Sequence, residues 1–386
     1  MRNCLLVLAC ALLAACAGPQ PVVQAPPPAL FDDTLFAAPS ERVGTDDVFA
    51  VSDEMRAYLK RPEVQARLFR RGPQQGLIDA LYQASELKLR YDTGTTRNAA
   101  RAFDDRAGNC LSLVIMTAAF ARELGLPVRY QSAYLEETVS RSNDLVLRSG
   151  HVNITLGRRP FDARSPDQLL TVDFLPPEGL RGLRTREIPE DMVLAMYMNN
   201  RAVEALVAGR LADAYAWARE AVRRHPQFAP ALNTLGVVYL RRGALTQATK
   251  VFDRTLAMEP ENKPALANLA SAYTRLGRAE ESLQLQRRLA QLEPEPPLAN
   301  FNLGLAAMKR QDFVAARDLF AREVARSEDF SDAHYWLGLA NFQLGNVDQA
   351  QRHFARALKS SASSDDRRLY SAKLDWLKSG GRSSSN

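Results

Sequence analysis

A 34-residue period in the second half of the chain restricts its fold more than any other feature. Gly209, Gly243, Gly277 and Gly345 recur at that interval, with Gln311 in the one remaining place. Pro226, Pro260 and Pro294 keep the same interval, with Glu328 in the fourth position. Small residues stand at Ala214, Ala248, Ser282, Ala316 and Ala350, and Leu235, Leu269, Leu303 and Leu337 mark a further matching place. A unit of this size cannot bury its apolar stripe alone, so successive units must stack. Small pairs such as Gly236 with Ala248, or Gly338 with Ala350, let two helices of a hairpin approach closely, and the later proline ends the second helix. Residues 195–358 read as five such hairpins. Residues 359–386 read as a capping helix carrying Leu369, Leu374, Trp376 and Leu377, followed by a Ser/Gly tail.

This periodicity resembles the tetratricopeptide repeat. The resemblance implies an all-α solenoid whose first helices line a groove for a protein or peptide partner. It places Arg241, Arg275 and Lys309 on that groove, one per repeat, with Asn268 and Asn302 on the same face. Such a ladder would hold an acidic or carboxylate-ended peptide by charge-assisted hydrogen bonds; the alternative is an ordinary solvated face. Tyr335, Trp336 and Phe342 are expected as groove anchors, contacts to the capping helix, or a mixture of both.

The amino terminus has a different character. Arg2 precedes an apolar block from Cys4 to Ala15, a secretory signal that takes no part in the fold. Its uninterrupted apolar run is about 15 residues against the roughly 18 or more needed to span a bilayer, so a polytopic membrane protein is excluded. Leu13-Ala14-Ala15-Cys16 resembles the lipobox of bacterial lipoproteins, which implies cleavage after residue 15, lipidation of Cys16 and an envelope location facing the periplasm; Ala17 resembles the pattern sent to the outer membrane. Pro19, Pro21, Pro26, Pro27 and Pro28 then make residues 16–44 read as an extended tether. Fifty basic against 44 acidic residues leave +6, with the two signs interspersed, so nothing supports nucleic-acid binding.

Residues 45–180 form a separate globular unit. Helical spacing over 52–70, 74–89 and 96–103 leads to a nearly all-apolar helix over 111–124. Strand patterns follow at 128–134, 152–156 and 169–174, so an α+β domain is expected, with the apolar helix on an antiparallel sheet. Removal of the signal discards Cys4 and Cys10, and acylation occupies Cys16, leaving Cys110 as the one free thiol. Cys110 opens the apolar helix, where unpaired N–H groups and the helix dipole favour negative charge. Of the four histidines, at 151, 225, 334 and 353, His151 alone falls in this domain. Asp173 interrupts an apolar strand, where a carboxylate needs a partner. Asp162 and Asp167 compete with it, and Asn153 reads as a polar strand residue.

The order Cys, His, Asp, carried by GNC before an apolar helix, then HVN, then VDF, resembles the transglutaminase-like superfamily over residues 85–180. The resemblance implies Cys110 as nucleophile, His151 as base and acid and Asp173 as the group that orients the ring, in acyl transfer on peptide or isopeptide amides. The Cys110 N–H would be one oxyanion donor, with Tyr91 or Asn109 as candidates for the second. The aromatic residue often found just after the nucleophile in this superfamily is absent, since Leu111, Ser112 and Leu113 follow. The competing reading is a catalytically silent module on a repeat scaffold for an envelope or export assembly. No phosphate-binding loop or zinc spacing is present, so no metal or cofactor is expected.

Overall fold

The computed structural model describes residues 30–83, 87, 89–92, 94–142, 145–157, 169–174, 184–294, 296–361 and 364–378. The signal segment, Cys16, the proline-rich stretch to residue 29, Asp162, Asp167 and the Ser/Gly tail lie outside them.

The α+β unit opens with α1 (Asp53–Leu59), started by the Ser52 side chain accepting the Met55 N–H. The helix expected over 52–70 is two helices, because Pro62 holds Arg61 in an extended conformation before α2 (Pro62–Arg71). Then come α3 (Pro73–Ile78), which runs into one π turn at Asp79–Gln83, and β1 (Arg90–Tyr91). After α4 (Ala99–Asp104), strand β2 (Ala107–Gly108) pairs in parallel with β1 and leads directly into α5 (Cys110–Glu123). Gly125, at φ +70, ends that helix. The main sheet contains β3 (Val128–Ser142), β4 (Leu145–Leu156), β5 (Leu170–Val172) and β6 (Arg184–Ile188), in the order β5-β4-β3-β6 and antiparallel throughout. The boundary expected at residue 180 therefore falls short, since β6 completes the sheet with Tyr130 opposite Ile188. Helix α5 packs against β4 and β3, and its eleven successive residues Leu111–Ala121 are all buried.

Among the described residues, ten helices make the five expected hairpins. They are α6 (Glu190–Val207) with α7 (Leu211–Arg224), α8 (Ala229–Arg242) with α9 (Leu245–Met258), and α10 (Lys263–Arg275) with α11 (Ala279–Leu292). They continue as α12 (Ala299–Lys309) with α13 (Phe313–Arg326), and α14 (Ser331–Gln343) with α15 (Val347–Ser360), before the capping helix α16 (Ser364–Lys378). The period-setting glycines turn each hairpin at positive φ, +75 at Gly209 and +87 at Gly243, and Gln311 adopts the same left-handed conformation at +61. Gly236, Gly304 and Gly338 lie beneath the rings of Phe252, Phe320 and Phe354. The close approach is thus of an aromatic ring to bare backbone, and not only of the small pairs read from the sequence. On the last hairpin Tyr335 stacks on Tyr370 and Phe342 packs on Trp376 of the capping helix, while Trp336 lies over Phe320.

Two features depart from the expected architecture. One hydrophobic core continues from the α+β unit through α10, and a second begins at Leu298. On either side of this junction Leu276, Leu283, Leu303 and Val314 remain exposed. Secondly, the tether assigned to residues 16–44 is not a free linker over its second half. Leu30 is buried, the Asp32 N–H donates to the Tyr215 and Tyr239 hydroxyls at 3.0 and 2.9 Å, and Phe36 stacks on Tyr215 with centroids 4.1 Å apart. Ser40 donates through N–H and hydroxyl to Asp213 at 2.6 and 2.7 Å. Residues 30–44 are a strap laid across α7 and α8.

A Cβ at residue 236 would lie 2.4 Å from the Phe252 ring. Gly236→Ala should therefore lower stability by about 1–3 kcal/mol in urea denaturation, as overpacking does. Gln311→Gly should raise it by up to about 1 kcal/mol by removing a side chain from a left-handed site. Equal stability of either variant and the parent would contradict these packing assignments.

Candidate active site

The site begins with the way α5 starts. Asn109 is extended and caps the helix, its Oδ1 accepting the Ser112 N–H at 2.9 Å and the Ser112 hydroxyl at 2.8 Å. This preference of asparagine for the cap sets Cys110 as the first helical residue, half-buried, with its N–H not used inside the helix.

His151 is buried in β4, and Asn153 lies on the same face two residues on. Pairing of Ile154 with Val172 brings the end of β5 alongside, and Asp173 follows directly. His151 Nε2 lies 2.7 Å from Asp173 Oδ1, and Asn153 Nδ2 donates to Asp173 Oδ2 at 3.4 Å. The Cys110 sulfur lies close enough to the imidazole to favour its charged form. With Nε2 engaged by Asp173, Nδ1 is the nitrogen left for the sulfur. The three residues expected from the sequence are thus brought together as sulfur, ring and carboxylate. Asn153, read only as a polar strand residue, is a second hold on Asp173.

Burial opposes charge on the His151 ring, but its bond to the Asp173 carboxylate and the nearby Cys110 sulfur outweigh that penalty and raise its pKa from 6.5 to about 9. The ring is therefore an imidazolium at neutral pH, poised as an acid beside the sulfur.

The candidates for a second oxyanion donor separate clearly. Tyr91, placed opposite Gly108 by the β1–β2 pairing, lies beside the backbone N–H and the sulfur of Cys110. Its phenol is held in the neutral form, first by burial and then by negative charge on that sulfur. It is accordingly a hydrogen-bond donor at neutral pH. Asn109 is not available. Its carbonyl caps α5 and its amide donates to Thr96 Oγ1 at 2.9 Å, which directs it away from the reacting centre.

On the repeats the expected ladder is partly committed elsewhere. Arg275 Nη1 donates to the Leu240 carbonyl at 2.7 Å, closing the end of α8, and Asn268 Nδ2 donates to Asn233 Oδ1 at 2.9 Å between neighbouring repeats. Both therefore bind repeat to repeat. Arg241, Asn302 and Lys309 are exposed on α8 and α12.

Family comparison agrees with this division. Residues 70–154 match the model of the transglutaminase-like superfamily. Residues 199–262 and 301–366 match one tetratricopeptide-repeat model, and residues 239–301 match another. A search of curated proteins finds no match. Among solved structures, a thermophilic TPR protein of Thermus thermophilus, TTC0263, is 21% identical over 47% of this chain and 98% of its own, with a TM-score of 0.32. YrrB, described as a TPR protein with an unusual peptide-binding site, is 21% identical over 47% and 92%, with a TM-score of 0.25. MamA is 18% identical over 44% and 96%, with a TM-score of 0.24. The chain thus joins a transglutaminase-like domain, matched over residues 70–154, to tetratricopeptide repeats spanning residues 199–366.

Proposed function

We propose that this protein is a cysteine-dependent acyl-transfer enzyme acting on peptide or isopeptide amides, with repeats that bring a protein or peptide partner to the site. The observation that carries the reading is the buried contact of His151 Nε2 with Asp173 at 2.7 Å, with the thiol of Cys110 on the same ring. The Cys110 thiolate attacks the amide carbonyl, forming a C–S bond and a tetrahedral oxyanion. The Cys110 N–H and the Tyr91 hydroxyl would serve as donors to that oxygen. The His151 imidazolium gives its proton to the departing amine as the C–N bond breaks, leaving a thioester and a neutral ring. Water then loses a proton to His151, attacks the thioester and expels the thiolate. Asp173 holds the ring's orientation through both steps. Hydrolysis is preferred to transfer onto a second amine because a water-filled compartment supplies the acceptor in excess. On the strength of the lipobox, the proposed location is the cell envelope, with the protein lipid-anchored through Cys16 and facing the periplasm from the outer membrane.

One observation favours a second reading. The Tyr91 oxygen lies beside the same Cys110 N–H that an oxyanion would need, as expected of a silent module in a repeat scaffold.

Iodoacetamide separates the two without a known substrate. At pH 6.5, Cys110 of the parent should alkylate at least tenfold faster than in His151→Ala, and equal rates would favour the silent module. In a 13C NMR titration the His151 ring should change near pH 9, and Asp173→Asn should move that midpoint down toward 6.5, because loss of the carboxylate removes what favours the charged ring. The linked stability has a defined window. Since the folded-state pKa is the higher, the contribution is complete below about 6.5, the unperturbed value, and is lost as pH rises through about 9. The stability advantage of parent over His151→Ala should shrink across that interval. Radiolabelled palmitate should enter the parent and not Cys16→Ser.

A further inference from the structure

Cys110, His151, Asp173 and Tyr91 have roles in the proposed chemistry, but a polar connection that enters the same helix start from the opposite side has none. Its centre is Thr96, only 3% exposed. Two amides donate to Thr96 Oγ1: Asn109 Nδ2 at 2.9 Å and Asn200 Nδ2 at 3.2 Å. A hydroxyl has one hydrogen and two acceptor sites. With both acceptor sites filled, its hydrogen is left for the neighbouring Glu204 carboxylate, which Thr96 favours as an anion. The Thr96 backbone N–H donates to Glu204 Oε1 as well, at 2.6 Å. Glu204 and Asn200 belong to α6, the first helix of the repeats, whereas Asn109 is the cap of the helix that opens with Cys110.

The connection does not end at Glu204. Arg201, one turn earlier on α6, donates to Glu204 Oε2 at 3.0 Å and to both oxygens of Glu41 at 3.2 and 3.0 Å. Glu41 is part of the strap and also accepts the Trp217 indole N–H at 2.7 Å. One guanidinium therefore divides its fork between the strap and the carboxylate that holds Thr96. Loss of the strap changes the charge balance at a largely buried acid which desolvation already disfavours as an anion.

We infer that Thr96 and Glu204 are positioning residues for the Cys110 site, and that seating of the strap through Glu41 on Arg201 sets them, so that strap docking regulates the thiol. This rests on the acyl-transfer reading and deepens it. Asn109 must keep its amide on Thr96 for its carbonyl to cap α5, and that cap fixes the N–H groups beside the sulfur. Among the described residues, the titratable groups facing Cys110 are His151 from β4, Tyr91 from β1 and, behind them, Asp173. None of these touches Glu204 or Glu41 in a hydrogen bond given above, so a change transmitted from them identifies the Thr96 route.

The test uses the full chain and follows alkylation of Cys110 by iodoacetamide from pH 5 to 10, resolved on the tryptic peptide of residues 107–122. Glu41→Gln, Glu204→Gln and Thr96→Val should each lower the rate at pH 6.5 at least threefold and alter the pH profile, whereas Thr96→Ser, which keeps the hydroxyl, should restore the parent profile. Should Thr96→Val fail to fold, Glu41→Gln decides the matter, since the amide oxygen it introduces can still accept the Trp217 N–H. Parent-like profiles for Glu41→Gln and Glu204→Gln, with His151→Ala strongly altered, would overturn the inference and leave the enzyme reading in place. A His151→Ala profile equal to the parent's would overturn the enzyme reading itself, and this inference with it.

Discussion

Burial of α5 is the constraint on which the rest of the α+β unit depends. Leu111, Leu113, Val114, Ile115, Met116 and Phe120 are all within 5% of full burial. At about 1.5–3 kcal/mol each, their burial is worth on the order of 10 kcal/mol before the entropy of ordering is subtracted, comparable with the net stability of an entire domain. A helix apolar on every face must be enclosed, here by the sheet on one side and by Tyr58 and Phe103, which meet Phe120, on another. Its polar opportunity is at the ends. The amino-terminal end carries unsatisfied N–H groups, a capping asparagine and Cys110, so the strongest packing in the domain positions the backbone of the candidate nucleophile. Weaker, directional interactions then need only aim His151 and Asp173 at a fixed sulfur.

A different constraint governs the repeats. Each hairpin is closed by a left-handed residue, three of them also by an aromatic ring lying on a glycine, and each is stabilised chiefly by its neighbours. Where that neighbour relation fails, between α11 and α12, apolar side chains stay exposed and the hydrophobic core divides. The first three hairpins thus belong energetically with the α+β unit, α12–α14 form a core of their own, and α15 packs with the capping helix. A boundary drawn by sequence period alone would place the division between residues 180 and 195; the packing places it some hundred residues later.

How much of this could be read from the sequence depended on the range of the interaction. Cys110, His151 and Asp173 were legible because thiols and histidines are scarce in the domain and a carboxylate in an apolar strand requires a partner. The repeats were legible because 34-residue self-similarity needs no knowledge of tertiary contacts. Asn109 was open to misreading as an oxyanion donor, since its type suits both roles, and the local cap preference prevails. The strap was hidden by averaging. The prolines before it cluster between Pro19 and Pro28, with Pro39 alone inside it, whereas residues 30–36 read Leu-Phe-Asp-Asp-Thr-Leu-Phe, which is apolar and acidic and suits the tyrosines and arginines of α7 and α8. Thr96 had no sequence signal at all, because its partner Glu204 is 108 residues away and that of Arg201 on the strap is 160 away.

The long-range polar cluster also bears on why the two units hold one orientation. Burying Glu204 and Arg201 is not an efficient way to stabilise an interface, since desolvation takes back much of the attraction and well-packed apolar residues would serve as well or better. An apolar contact, however, tolerates sliding and rotation. A carboxylate that must accept one hydrogen bond from the Thr96 N–H and one from Arg201 is satisfied in one placement only. Removing one partner leaves a costly unpaired group, so the cluster penalises every misplacement of α6 against the loop that precedes Cys110. Its contribution is to register, and the register it enforces is that of the first repeat helix against the start of the nucleophile helix. The acyl-transfer function proposed above, fed by an attached solenoid, would need that geometry held to within a hydrogen bond, which apolar packing alone would not secure.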